Sequence, residues 1–350
     1  MPPTDLRSAG SAVSPWPQLT APLEALLHLA SHFPIIDPIG RGLAQRRREL
    51  GAALLPAAQA RLRPLWDGVL REDPAAVAAY DQAVQETLET LRARTADAAG
   101  AAAGPGTALL GHLDRWLYKD QAEFLDDVHF PMAQRLQILE TLDRLNVHLG
   151  SYRRFCERLE PLIAAATART GAPVELHDLA AGHGGFAIAV KEYFGARVTV
   201  TASDLRPEYL ELGRPRARRR GVAVRFVEQD ATRLQNLRGR GVDLFLCTQS
   251  VHHFPPGMVA RMLGEATRAA GTGVCFIDGE RGYFPLLLAP LMGAYGQSWG
   301  ALHDTWVSLR RMYLAEELEL LGQLAPALPE GAQLAATRLP PGHLMLTIRV

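Results

Sequence analysis

Residues 174–194 read VELHDLAAGHGGFAIAVKEYF. A short apolar run leads into a loop carrying Gly182, Gly184 and Gly185, and apolar residues then recur at helical spacing through Phe186, Ala189, Val190 and Phe194. The order is strand, glycine turn, helix. Such a unit brings bare backbone at a strand's carboxyl end up to a ligand, because side chains at these glycines would fill the ligand's space.

Outward from this stretch, apolar runs at 197–203, 222–227, 242–248 and 273–277 alternate with helical patterns at 185–194, 207–219, 231–237 and 256–270. Five such runs predict a doubly wound, mostly parallel sheet with right-handed crossovers. Two more β-like runs, 333–338 and 344–350, are joined through Pro340, Pro341 and Gly342 and predict an antiparallel close. The expected fold is α/β: a seven-stranded, Rossmann-like sheet with a C-terminal hairpin, preceded by a helical N-terminal region.

Ligands in such sheets sit beyond the carboxyl ends of the strands. Those ends place Asp178 before the glycine loop, Asp204 after the second strand, Asp230 after the third and Thr248 after the fourth. Asp204 stands 22 positions after Gly182, where a carboxylate can accept both ribose hydroxyls; Asp230 is placed to meet a base. Each acid alone could be a helix cap. Together with the loop they favour a nucleoside ligand. Gly182, Gly184 and Ala187 also satisfy G-x-G-x-x-G/A, which keeps an NAD(P)-dependent oxidoreductase open as an alternative.

The first half has helical periodicity, with Val77, Tyr80, Val84, Leu88 and Leu91 on one face and Pro74 at a helix start. Arg46, Arg47 and Arg48 read as a solvated face. The stretch AAGAAAGPG at 98–106 reads as a linker, followed by helices near 109–125, 131–149 and 152–168. The expected organisation is a flexible tail at 1–18, a helical N-terminal domain at 19–150 and a ligand-binding domain at 151–350. The 350 residues carry 37 basic and 37 acidic side chains, so no global field draws the chain to nucleic acid or an anionic membrane. No apolar run is long enough to span a bilayer. Three scattered cysteines suit a reduced, cytoplasmic protein without disulfides.

The motifs resemble those of class I S-adenosylmethionine-dependent methyltransferases. DLAAGHGG (178–185) looks like the family's first motif, TASDLRPEYLELGR (201–214) like its ribose segment, and VEQDATRLQ (227–235) like its adenine segment. A narrower similarity, to small bacterial methyltransferases of polyketide and quinone-type pathways, runs through residues 123–155, CTQSVHHF (247–254), 274–288 and 303–318. Those enzymes lack most of the first hundred residues here, and Ala180 stands where the family has a glycine. The resemblance implies S-adenosyl-L-methionine as cofactor. Gly182 and Gly184 would let backbone approach its methionyl part, Asp204 would hold the ribose hydroxyls and Asp230 with Ala231 would receive the adenine, with Asp178, Ala180, Leu205 and Thr248 as further cofactor-binding positions.

Methyl transfer is an in-line displacement that needs an aligned acceptor and a dry site. A hydroxyl acceptor also needs a base, so His252, His253 and His303 are the candidates; structural roles compete for each. No histidine pair has the spacing to Cys or Glu that a metal needs, so no metal is expected. The apolar stretch 282–306 suits a lid over an apolar acceptor, with Trp116 and Tyr118 closing the pocket from the helical side. The run RPRARRR (214–220) lacks aromatic interleaving and does not point to nucleic acid. The resulting expectation is O-methylation of a small, aromatic or polyketide-like molecule in secondary metabolism, with a homodimer through the helical region as a further possibility. A non-catalytic scaffold of the same fold is the other alternative.

Overall fold

The structure, a computed structural model, describes residues 43–101, 105–127, 129–282, 299–340 and 342–350. The expected tail, the start of the expected helical domain and most of the expected lid lie outside the described residues.

The N-terminal half forms α1 (Ala44–Leu62), α2 (Trp66–Leu70), α3 (Pro74–Ala101), α4 (Pro105–Leu117) and α5 (Met132–His148). The stretch 98–106 is less of a linker than its glycines suggest. Its alanines carry α3 on to residue 101, and Pro105, which has no amide proton to lose, starts α4. Conversely, α4 stops at Leu117, so 118–127 is loop where helix was expected.

Beyond α6 (Ser151–Thr170) come β1 (Val174–Leu179), α7 (Gly185–Phe194), β2 (Val198–Asp204), α8 (Pro207–Arg219) and β3 (Val224–Glu228). Then follow β4 (Leu244–Thr248), α9 (Pro256–Ala269), β5 (Gly273–Gly279), α10 (Trp299–Arg311), α11 (Ala315–Leu324), β6 (Gln333–Leu339) and β7 (His343–Arg349). Between β3 and β4 only a single 3-10 turn forms, at Gln235–Leu237. The strand order is β3-β2-β1-β4-β5-β7-β6, with β7 antiparallel to both its neighbours and the rest parallel. The order reverses between β1 and β4, and Asp178 lies level with Ala202 and Leu246, so the ligand crevice of this topology falls at the glycine loop.

Two apolar layers flank the sheet, and the pleat sorts residues between them. Leu244 and Leu246 of β4 join Phe155, Phe186 and Leu210 of α6, α7 and α8 on one face. Phe245 and Cys247 join Val259, Met262, Leu318 and Leu321 of α9 and α11 on the other. That second layer also contains Leu62, Tyr80, Val84, Leu88 and Leu91, so α1 and α3 share the core of the sheet domain. A β-carbon at Gly257 would lie 2.4 Å from the Asp81 backbone, which lets the start of α9 rest directly on α3.

Polar contacts fix this docking. The Tyr80 hydroxyl donates to the Leu324 carbonyl (2.7 Å), and Arg261 donates twice to Asp81, each at 2.9 Å. Beneath them Glu317 accepts from Arg92 (2.7 Å) and Arg281 (2.9 Å), all three largely buried. Arg281 also reaches Asp114 at 3.2 Å. The run of three arginines in α1 is not wholly solvated: Arg47 is buried against Asp114 and Glu316.

Candidate functional site

The loop between β1 and α7 takes its shape from left-handed residues. Gly182 (φ +56°) and Gly184 (φ +75°) adopt that region freely. At Gly184 a β-carbon would also lie 2.6 Å from the Phe226 ring, whereas at Gly182 it would meet only Leu139, at 3.9 Å. Gly184 is therefore packed tightly from behind, whereas Gly182 has only van der Waals contact, with Leu139. Ala180 is left-handed too, at φ +49°, a conformation that costs a residue with a β-carbon about 1–2 kcal/mol. The Ser250 hydroxyl, donating to the Ala180 carbonyl at 2.9 Å, holds it there. His183 points inward. It is buried, and burial with nearby Arg216 pushes its imidazole down to about 4, so it stays neutral and structural.

Around Gly182 the strand ends leave polar atoms unanswered. Asp178 is fully buried and its Oδ1 accepts no hydrogen bond; burial, reinforced by Asp204, pushes its carboxyl up to about 8. The Thr248 hydroxyl is likewise buried without a partner. Asp204 accepts from the Gly182 amide (2.8 Å) and the Arg206 amide (2.9 Å), which fixes the loop to β2; burial raises its carboxyl as well. Beside it Leu205 is 63% exposed. Asp230 accepts from the Thr232 amide (2.8 Å) and hydroxyl (2.7 Å), closing a turn that buries Ala231.

Helix α5 roofs this rim. Leu139 faces Gly182, and Asn146 pairs reciprocally with Gln249 (2.6 and 3.0 Å), itself strained at φ +56°. Buried Arg135, whose Nε has no partner, is a site candidate that sequence reasoning missed. Nothing in the α5 sequence separates it from Arg144, which lies on a more solvated turn.

These features fit the groups of S-adenosylmethionine. A buried, unpaired carboxylate at Asp178 suits a cationic amino group, Asp204 and Leu205 suit a ribose and the edge of its base, and Arg135 suits a carboxylate. A family described as a methyltransferase domain matches residues 177–273, the stretch that runs from the glycine loop to β5. The chain has the fold of a class I S-adenosylmethionine-dependent methyltransferase.

The chain is 33% identical over 116 residues to a demethylmenaquinone methyltransferase of Deinococcus radiodurans. That match takes in 33% of this chain and 44% of the relative, so the chain spans under half the length of the curated relative it matches. Among solved structures, the plantazolicin methyltransferase BpumL, in complex with S-adenosylhomocysteine and a substrate analogue, is 13% identical (TM-score 0.47; 76% of this chain, 98% of that one). The magnesium protoporphyrin IX methyltransferase of Synechocystis is 15% identical (TM-score 0.39; 68% and 94%). At these values neither says anything about the acceptor.

On the other side of β4, the three candidate histidines gather round one loop, 118–127. His252 is buried, its Nδ1 2.9 Å from Asp278 of β5 and its Nε2 3.4 Å from Glu123. Burial alone would lower its pKa, but the Asp278 and Glu123 carboxylates overcome that and push it up to about 10. His253 is half-buried, with Nδ1 2.8 Å from Asp126 and Nε2 3.8 Å from Glu123. At Glu123 burial opposes ionisation, yet the imidazoles of His253 and His252 outweigh it and hold the carboxyl below its usual range.

His303 and Asp304, neighbours on α10, do face each other, at 2.9 Å between Nδ1 and Oδ1. The loop makes this possible: the Phe124 and Leu125 amides donate to Asp304 (2.8 and 3.1 Å), and the Phe124 ring stacks on His303 with centroids 4.1 Å apart. Tyr118 lies under the guanidinium of Arg92, 3.7 Å from its ring centroid, and Trp116 is exposed. In the basic stretch 214–220, Arg214 pairs with Glu211, Arg216 with Asp143 and Arg220 with Glu192. Among the described residues no helix is long and apolar enough to cross a membrane.

Proposed function

We propose that this protein transfers the methyl group of S-adenosylmethionine to a hydroxyl of a small, largely apolar acceptor. The observation that carries the reading is the buried Asp178 carboxyl, whose Oδ1 accepts no hydrogen bond, at the end of β1 where the Gly182 loop is tied to Asp204 of β2. In this reading Asp178 and Arg135 hold the two charged ends of the amino-acid part, Asp204 the ribose, and Leu205 with Ala231 the adenine. The cofactor supplies a methyl group already activated by the sulfonium. The protein's share is alignment, exclusion of water and removal of the acceptor's proton.

The His303 and Asp304 pair supports the base assignment. Asp304 orients the ring through Nδ1 and leaves Nε2 as the acceptor of a proton. His252, clamped between two carboxylates, carries its proton at neutral pH and does not suit that task. A quinone-type acceptor is consistent with the demethylmenaquinone methyltransferase relative.

Calorimetric titration tests the reading directly. The full chain should bind S-adenosylmethionine and its demethylated product at one site, and Asp204→Ala should weaken both by roughly tenfold or more, the loss of charge-assisted hydrogen bonds, with an unchanged far-UV spectrum. Binding of NAD(P) in place of S-adenosylmethionine would overturn it.

A further inference from the structure

The loop 118–127 assembles donor atoms that the methyl-transfer reading does not use. We propose that Glu123, His252 and His253 form a binding site for one divalent transition-metal ion of the zinc class. One ligand atom from each residue lies within 4.8 Å of the others. Ligands bonded to zinc at ~2.0–2.1 Å in a tetrahedron lie roughly 3.3 Å apart. The separation of 3.4 Å between His252 Nε2 and Glu123 Oε1 already matches this, and the other carboxylate oxygen, Oε2, stands 3.8 Å from His253 Nε2.

Two further observations point to an ion rather than to a self-contained polar cluster. Glu123 is 2% exposed, and its Oε1, turned toward His252, accepts no hydrogen bond. The cations that face it, His252 at 3.4 Å and Arg311, stand at ion-pair rather than hydrogen-bond geometry, and a metal ion bound here takes the place of the proton on His252 Nε2, which is released to solvent. Arg311 is the nearest guanidinium, but it stands 3.9 Å off and is engaged by Asp126 at 2.5 Å. In addition, each histidine has its Nδ1 fixed by a different carboxylate, Asp278 for His252 and Asp126 for His253. Carboxylate–imidazole pairs of this kind set the tautomer that points Nε2 at a metal.

Two imidazole nitrogens and one carboxylate oxygen select a borderline transition ion over magnesium or calcium, which prefer all-oxygen shells. Three protein ligands leave coordination positions open. Their use for an acceptor oxygen rests on the methyl-transfer reading; the binding site itself does not.

The test is titration of chelator-treated full-length protein with zinc and with cobalt, the latter followed by visible absorption. One saturable equivalent is expected, with the absorption bands of imidazole-bound cobalt, little response to magnesium, and affinity lowered at least about tenfold in Glu123→Gln and in His253→Ala. Asp126→Asn, which only orients His253, should weaken binding by about 10–100-fold. His253 is half-buried, so its alanine variant remains informative if Glu123→Gln fails to fold. The absence of a saturable equivalent, wild-type affinity in both ligand variants, or a preference for magnesium would each overturn the proposal. Cofactor titration of the same metal-free sample reports on the methyl-transfer reading separately.

Discussion

Asp178 ties the chemistry of the rim to pH. Its carboxyl is raised to about 8 because burial disfavours the charge and Asp204 adds a second negative group. The unfolded chain ionises this residue near its ordinary value of about 3.9. A group raised in the folded state contributes stability below the unfolded value and loses it as pH climbs toward the folded one, so Asp178 costs the free protein progressively more between about 4 and about 8. A cationic ligand reverses the balance by pairing with the ionised form. Affinity for S-adenosylmethionine should therefore rise with pH through about 8, and Asp178→Asn should both weaken binding and flatten that rise. Calorimetry at a series of pH values, in buffers of matched ionisation enthalpy, reads it; a wild-type profile as flat as the variant's would mean that the carboxyl does not meet the ligand's charge.

At the level of elements, α10 and the loop 118–127 act as one unit, because Asp304 caps the loop's amides and the loop's Phe124 packs on His303. If His303 is the base, His303→Ala should lower kcat by about 10²-fold or more while cofactor affinity stays put, and Asp304→Asn should do part of the same by releasing the ring. A fall in cofactor affinity without a fall in kcat at saturation would point to a structural role instead. These relations could not be read in the sequence. The strands could, since β1, α7 and α8 follow local periodicity and glycine chemistry, and their ends were legible to the residue. Glu123 was not, because it lies 129 and 130 positions from His252 and His253 and reaches them only through the fold. The 3-10 turn at Gln235–Leu237 was also missed, because its helical pattern is overruled by the Asp230 to Thr232 turn that precedes it.

On the scale of the whole molecule, helices and sheet share their interior. Periodicity shows that α3 has an apolar face but not what covers it, so the sequence suggested a separate helical domain. The structure seats Tyr80, Val84, Leu88 and Leu91 of α3 on α9 and α11 and buries Arg92, Arg281 and Glu317 at the same contact. Each of those apolar side chains is worth about 1.5–3 kcal/mol when fully buried, and a Glu317 left beside Arg281 but without Arg92 loses half its compensation in a dry environment. A truncated chain starting at Met132 keeps every strand and the glycine loop yet exposes that whole surface. It should unfold at lower denaturant concentration with poor cooperativity, or aggregate, where the full chain unfolds in one transition. It should also fail to bind S-adenosylmethionine at temperatures that the full chain tolerates. A soluble, cooperatively folded truncate with native cofactor affinity would show instead that the sheet domain stands alone and that α1 to α4 serve the acceptor side only.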